Sequence, residues 1–283
     1  MKTGEPSRTA YGAARHRAVH QLLEGGRLFA DPLAVRMLGA GPAELAEEAA
    51  QAPEQRPLRL FIAARSRFSE DAVAAAHADG LRQLVVLGAG FDTFGYRQEH
   101  PGLRVFEVDH PATQEWKRRR VAEAGIAVPA SLTYVGVDFE RESFVARLAE
   151  AGFDSGRPAF FSWLGVVPYL TREAVLGTLR LIAALPGGAQ VVFDYAEPVE
   201  ALSPEYRARR EAAAARVAAI GEPWLTHFGV AELAGELAAL GFAETEDLGP
   251  GELAVRYFGL PPGTASGAGG HVIRAVSGPA KAG

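Results

Sequence analysis

Cysteine is absent from the 283 residues. That excludes disulfides, thiolate metal sites and a cysteine nucleophile at once. It agrees with a cytoplasmic location, although secreted chains can lack cysteine too. Long apolar runs are missing as well. No uninterrupted stretch reaches the ~18 residues a membrane helix requires, so no membrane partner is expected. The N-terminus carries Lys2, Glu5 and Arg8 without an apolar core segment, which does not read as a secretory signal. Positive charge is not in excess either. The formal net charge is -5, unlike that of a nucleic-acid binder. One basic run, Lys117-Arg118-Arg119-Arg120, sits in a predicted helix beside Glu115 and Glu123 and reads as a solvated helix face.

What is present suits a globular α/β chain. Hydrophobic residues make up 48%, enough for a sizeable core. The length allows one large domain or two small ones at ~100–200 residues each. We expect a single domain over 1–283, with a helical cap (1–80), an α/β core (81–200), a helical lid (201–241) and closing strands with a loop (242–283). Helices are predicted at Ala10–Leu23, after the Asp31-Pro32 N-cap signal, at Pro42–Ala50 and at Leu58–Ala78. Short apolar runs follow at 84–87, 105–108, 132–137, 159–163 and 190–193. Helical segments separate them at 112–124, 143–151 and 172–184. Strands alternating with such helices imply parallel pairing by right-handed crossovers. Helices are then expected at 204–220 and 230–240, final strands at 242–248 and 271–276, and a glycine-rich loop at 259–270.

The strongest local signal is the glycine turn Gly88-Ala89-Gly90-Phe91-Asp92-Thr93, directly after the first strand. Glycine permits positive φ and close backbone approach to a ligand. Ligands of open parallel sheets bind beyond the carboxyl ends of strands. A dinucleotide site wants a third glycine, and Thr93 and Phe94 occupy that neighbourhood. An adenosyl ligand without a pyrophosphate needs only the close approach, and a plain strand-to-helix connection remains the bland alternative.

Two acids strengthen the ligand reading. Asp109 closes the second strand, near the ~20-residue offset at which an acid accepts from ribose hydroxyls. Glu107 shares its face by period-two alternation and is a rival. Asp138 closes the third strand and suits an adenine amino group, while Phe139 can pack on the ring. The alternative for each acid is a helix N-cap. Tyr169, after the fourth strand, is the candidate to flank a reacting group and orient an acceptor oxygen. Its alternative is a packing tyrosine. Arg256 and Tyr257 are candidates for the acceptor side, with arginine suited to an acidic substrate. His110 and His227 are candidate bases but read as ordinary loop residues.

These residues also carry a family pattern. The pieces are Ser7-Arg8-Thr9-Ala10, Arg17-Ala18, Asp31-Pro32-Leu33-Ala34, Ala63-Ala64-Arg65, the glycine turn, Phe106-Glu107-Val108-Asp109, Val137-Asp138-Phe139, Tyr169-Leu170 and Arg256-Tyr257-Phe258. In that order they resemble the leucine carboxyl methyltransferase family, in its bacterial branch of S-adenosylmethionine-dependent methyltransferases. The resemblance implies a Rossmann-like class I methyltransferase sheet with helices on both faces, an added helical cap and S-adenosyl-L-methionine as cofactor. It implies that Arg65 pairs with the methionine carboxylate and that Arg17, next to Arg15, is a second basic residue at that end. Gly88 and Gly90 would take the backbone approach, Asp109 the ribose, and Asp138 with Phe139 the adenine. The surface alternative for Arg65 is an ion pair on a charged helix near Arg67 and Glu70. Leu164 stands where many members carry a glutamate, so one cofactor contact is absent or replaced. The expected activity is O-methylation of a carboxylate on a small molecule or peptide, with no metal. The alternatives are a nicotinamide-dependent oxidoreductase and a non-catalytic adenosyl-ligand binder. The oligomeric state and the acceptor are not written in the sequence.

Overall fold

The computed structural model describes residues 8–139, 141–263 and 269–279, apart from the side chains at 205 and 209. Lys2, Glu5, Ser7, residues 264–268 of the expected loop and the terminal residues 280–283 lie outside the described residues. Backbone contacts divide the chain into two units, Met1–Phe153 and Asp154–Gly283.

The first unit begins with helices α1 (Arg8–Leu23), α2 (Ala34–Leu38), α3 (Pro42–Ala50) and α4 (Arg56–Ala78). It continues with β1 (Gln83–Leu87), α5 (Phe94–Arg97), β2 (Arg104–Asp109), α6 (Pro111–Glu123), β3 (Leu132–Gly136) and α7 (Phe144–Glu150). β2 lies between β1 and β3, and both pairings are parallel. That is the crossover arrangement the alternating pattern predicts. Val85, Phe106 and Val108 are fully buried, and each such side chain contributes about 1.5–3 kcal/mol.

Two expectations are corrected here. Asp31 does not cap an immediately following helix at Pro32. α2 starts at Ala34, and Asp31 is buried, accepting from the Leu33 N–H at 3.2 Å and pairing with Arg17. The basic run is not a solvated face throughout. Arg118 and Arg119 are exposed, but Lys117 is 1% exposed and its Nζ lies 2.7 Å from Glu107 Oε2.

The second unit contains β4 (Ala159–Trp163), α8 (Arg172–Ala183), β5 (Ala189–Ala196), α9 (Pro204–Ala219), α10 (Val230–Ala239), β6 (Phe242–Leu248), α11 (Pro250–Phe258) and β7 (Gly270–Ser277). β4 and β5 are parallel. β7 pairs antiparallel with both β5 and β6. The closing strands are cross-linked by polar side chains. Tyr195 donates its hydroxyl to Asp247 at 2.5 Å, and the His271 ring lies 3.0 Å from Asp247 and 3.2 Å from Glu197. α11 has no counterpart in the sequence reading. Pro250 starts it and Gly259, at φ +64°, stops it.

Candidate functional site

β1 runs out at Leu87, and the turn that follows is fixed from three sides. Gly88 and Gly90 have φ of +63° and +43°, a backbone region that side chains disfavour. The Gly88 and Ala89 N–H groups both donate to the Val108 carbonyl, at 2.8 and 3.1 Å. The Gly90 N–H donates to Asp109 Oδ2 at 2.6 Å. Phe91 is buried, edge-on to Tyr11 of α1 and Trp116 of α6. Arg17 Nη2 donates to the Phe91 carbonyl at 2.6 Å while its Nε lies 3.3 Å from Asp31. The first helix is therefore part of what builds the turn.

The third glycine has a substitute two residues late. A Cβ on Gly95 would stand 2.8 Å from Leu132 Cδ1, so Gly95 lets α5 close onto β3. Close packing of this kind is what the last glycine of a dinucleotide turn allows.

Asp109 sits at the end of β2 with Oδ2 on Gly90 and Oδ1 accepting from the His110 N–H at 2.7 Å. Burial pushes its carboxyl up, against the pull of those two N–H groups. Each oxygen keeps a second lone pair for a further donor. Glu107, the rival, is fully buried against Lys117, and burial raises its pKa to about 7 despite the ammonium. That leaves Asp109 as the acid at the strand mouth. His110 Nδ1 accepts from the Ala112 N–H and caps α6.

The end of β3 lies level with the end of β2. Asp109 pairs with Gly136, and the Val137 N–H donates to the Asp109 carbonyl at 2.9 Å. Asp138 follows directly, with Arg141 Nε 3.5 Å from its carboxylate and the Glu142 carboxylate on its N–H. Phe139 is 53% exposed, leaving its ring face open. The structure thus brings Gly88, Gly90, Asp109, Asp138 and Phe139 to neighbouring strand ends.

Arg65 lies on α4 and is 8% exposed, with its guanidinium over the Phe61 ring at 5.8 Å. The surface alternative fits Arg67 instead, which is exposed and pairs with Asp71 at 2.7 Å. Glu70 is taken by Arg97. His16 of α1 is held near pKa 4 by burial and by Arg59, Arg15 and Arg65.

In the second unit, Tyr169 lies in a short 3₁₀ turn, Val167–Tyr169, after β4. Arg256 and Tyr257 lie on α11. Arg256 is half-exposed, stacks on Tyr257 and reaches Glu246 at 2.6 Å. Leu164 is followed by Gly165, whose N–H donates to Asp194 Oδ1 at 2.5 Å. Asp194 is the next residue on β5 after Phe193, the partner of Trp163, and so lies level with Leu164. The sequence carried a signal for it, because the fifth apolar run also ends in an acid. Buried Asp31 and half-buried Arg97 and Glu70 are linked by ion pairs behind the turn, a role that the sequence does not show.

Comparison with solved structures identifies the fold. A Thermobifida fusca YX protein, provisionally called a methyltransferase, superposes with a TM-score of 0.60 at 16% identity, over 98% of this chain and 97% of that one. A DUF574-family protein from Streptomyces avermitilis MA-4680 gives 0.56 at 18% identity, over 96% and 98%. The shared architecture is the class I methyltransferase form of the Rossmann-like α/β fold.

Sequence comparison carries this to the family. The leucine carboxyl methyltransferase family matches residues 10–183. YktD of Bacillus subtilis (strain 168), provisionally named an S-adenosyl-L-methionine-dependent methyltransferase, is 31% identical over 91% of this chain and 93% of its own length. SCO7813 of Streptomyces coelicolor, provisionally named likewise, is 36% identical over 59% of this chain and 60% of its own. The chain belongs to the leucine carboxyl methyltransferase family, and with that family it is classed among the S-adenosylmethionine-dependent methyltransferases.

Proposed function

We propose that the strand ends of the first unit hold S-adenosylmethionine and that the chain transfers the methyl group to a carboxylate oxygen. One observation carries the donor half. Asp109 ties down the positive-φ Gly90 and still presents unused lone pairs at the mouth of β2. The residues present fit the ligand. Asp109 accepts from the ribose hydroxyls, Asp138 from the adenine amino group, and the open face of Phe139 packs on the ring. Arg65 takes the methionine carboxylate, with Arg17 at the same end bracing the turn through Phe91. Asp194 stands level with the position at which Leu164 lacks the family's acid.

When bound, the sulfonium supplies an electrophilic methyl whose bonding pair stays on sulfur. The chain has little proton chemistry to perform, because a carboxylic acid with an ordinary pKa of ~4 is already ionised at neutral pH. Its work is orientation, which can supply about 7–11 kcal/mol of such a barrier. Tyr169 is assigned to orient the acceptor oxygen, and Arg256 with Tyr257 to the surroundings of the acceptor. The helical regions 1–80 and 201–241 are assigned to shield the reacting groups from water. The family membership and the absence of any need for a base favour an ester product over an amine-linked one.

Calorimetry with S-adenosylhomocysteine and with NAD tests the donor half. Binding of the first and not of the second is expected. Asp109→Ala should weaken that binding by about 100-fold, since it removes a charged acceptor for two hydroxyls. Unchanged binding in the variant overturns the assignment. For the acceptor half, labelled methyl transferred to an organic-acid pool should be released by mild base. A base-stable product overturns the ester.

A further inference from the structure

The carboxyl ends of β4 and β5 carry a layer of their own. Residues 224–228 return across them after α9. The Leu225 and Thr226 N–H groups donate to the Pro168 carbonyl at 2.7 and 3.4 Å, and the Thr226 hydroxyl donates to the Leu170 carbonyl. Phe228 donates its N–H to Ala196, the last residue of β5, at 3.1 Å. Trp224 and His227 therefore lie on a segment bonded to the turn that holds Tyr169.

Arg210 of α9 meets this segment. Its guanidinium carbon lies 4.7 Å from the centre of the Trp224 ring. Its Nε is sealed from solvent and has no hydrogen-bond partner. Among the described residues, no carboxylate pairs with it. Burial alone pulls its pKa down, as expected of a cation without a counter-charge. Its charge also acts on His227 of the same segment, whose pKa is lowered by burial and by Arg210 and raised by the exposed Glu200.

The other stacked arginines of this unit differ. Arg172 lies over Phe228 and also reaches Glu232 and Glu236, both at 2.9 Å. Arg256 lies over Tyr257 and reaches Glu246. Stacking on an aromatic ring is common to all three; among the described residues, a carboxylate is lacking only at Arg210. A part-buried guanidinium without an anion is unfavourable, and its planar fork matches a carboxylate. The pattern is that of a half-built ion pair whose other half is a ligand.

We propose that Arg210, lying on Trp224, is the residue that anchors a carboxylate of the methyl acceptor. This rests on the methyl-transfer reading for its biological sense, but the anion site itself does not. Trp224 fixes the plane of the guanidinium and borders an acid with an apolar body. His227, kept neutral, offers either a donor or an acceptor to a neighbouring polar group. The position at the ends of parallel strands is where open α/β sheets take their ligands.

The test uses benzoate, its neutral isostere benzamide and inorganic phosphate, titrated by ligand-observed NMR against the full chain. Wild type should bind benzoate at least about tenfold more tightly than benzamide, the scale of one lost charged hydrogen bond. Arg210→Gln should lose that preference and leave S-adenosylhomocysteine binding unchanged, and Arg210→Lys should restore it in part. No described residue of α9 is buried, so these variants are expected to fold, which thermal melts check. Equal benzoate affinity in wild type and Arg210→Gln overturns the proposal. So does equal affinity for benzoate and benzamide, or an absence of benzoate binding. Phosphate binding more tightly than benzoate overturns the carboxylate assignment. Benzoate discrimination without S-adenosylhomocysteine binding would sink the methyl-transfer reading and leave this site standing. The reverse outcome would sink this inference alone.

Discussion

Arg210 of the second unit contrasts with three arginines of the first. In the first, Arg17 has Asp31 and the Phe91 carbonyl, Arg59 has Glu24, and Arg97 has Glu70. Arg17 braces the glycine turn through Phe91, and all three are satisfied within the fold. In the second, Arg210 lies against Trp224 with no acid among the described residues. A site read mainly by backbone and strand-end acids needs a rigid frame. A site that recognises a charged acceptor holds back one partner for the ligand. The contrast predicts that first-unit variants mostly lose stability or donor binding, and that second-unit variants lose acceptor recognition.

The largest effect should come from the buried pair behind the turn. Lys117→Met leaves Glu107 fully buried and without its ammonium. Breaking such a pair from one side destabilises by about 3–5 kcal/mol. Chemical denaturation measures it. The double variant with Glu107→Leu should recover most of the loss, because the unpaired charge has gone. A single variant as stable as wild type would break the contrast, since the first unit would then tolerate an orphaned charge as the second does.

Next in size is a pH effect. His16 has its folded pKa held near 4, below the ordinary 6.5, by burial and three arginines. Folding therefore excludes a proton that the unfolded chain takes up. The stability this neutral ring represents is complete above pH 6.5 and is lost as pH falls toward 4. At 1.36 kcal/mol per unit the loss is about 3 kcal/mol at most. Asp109 and Glu70, whose carboxyls are raised by burial, act with the opposite sign over part of that range. The measurement is thus a difference: wild type against His16→Gln, followed by urea midpoints from pH 7 to 4. The variant should show the shallower fall. Parallel curves would mean that neither burial nor the neighbouring arginines hold His16 neutral in the folded chain.

Much of this was legible in the sequence, and what was not has a physical cause. The strands and the turn announced themselves because a buried parallel strand is a compact apolar run and a positive-φ turn demands glycine at fixed places. The places of Asp109 and Asp138 at strand ends are legible because Asp109 ends its apolar run and Asp138 follows its own within two residues of the strand. Lys117 was misread because a helix's charge pattern does not say which residue of a basic run faces the sheet; Glu107, ten residues earlier, decides that through the fold. Asp31 reads as a cap in the sequence for the same reason, since its partner Arg17 lies on another helix. α11 was missed because nine residues between prolines and glycines also suit a loop. Arg210, Trp224 and His227 are ordinary residues until α9 and the returning segment bring them together.

The smallest expected effect separates the two arginines proposed for the acceptor. Arg256 was marked by the family pattern, whereas Arg210 was marked by its missing partner. Arg256 is 41% exposed, and an exposed pair such as Arg256–Glu246 contributes about 0.2–1 kcal/mol. Arg256→Ala should therefore shift the denaturation midpoint only slightly. Its benzoate affinity should stay within about twofold of wild type, because Glu246 already uses the charge that a ligand would need. If Arg256→Ala weakens benzoate as much as Arg210→Gln does, acid recognition is shared along α9 and α11. The lack of a carboxylate would then not be what distinguishes Arg210. If it weakens methyl transfer without touching benzoate, Arg256 acts on a part of the acceptor that the small probe does not reach, and the two arginines read different ends of one molecule.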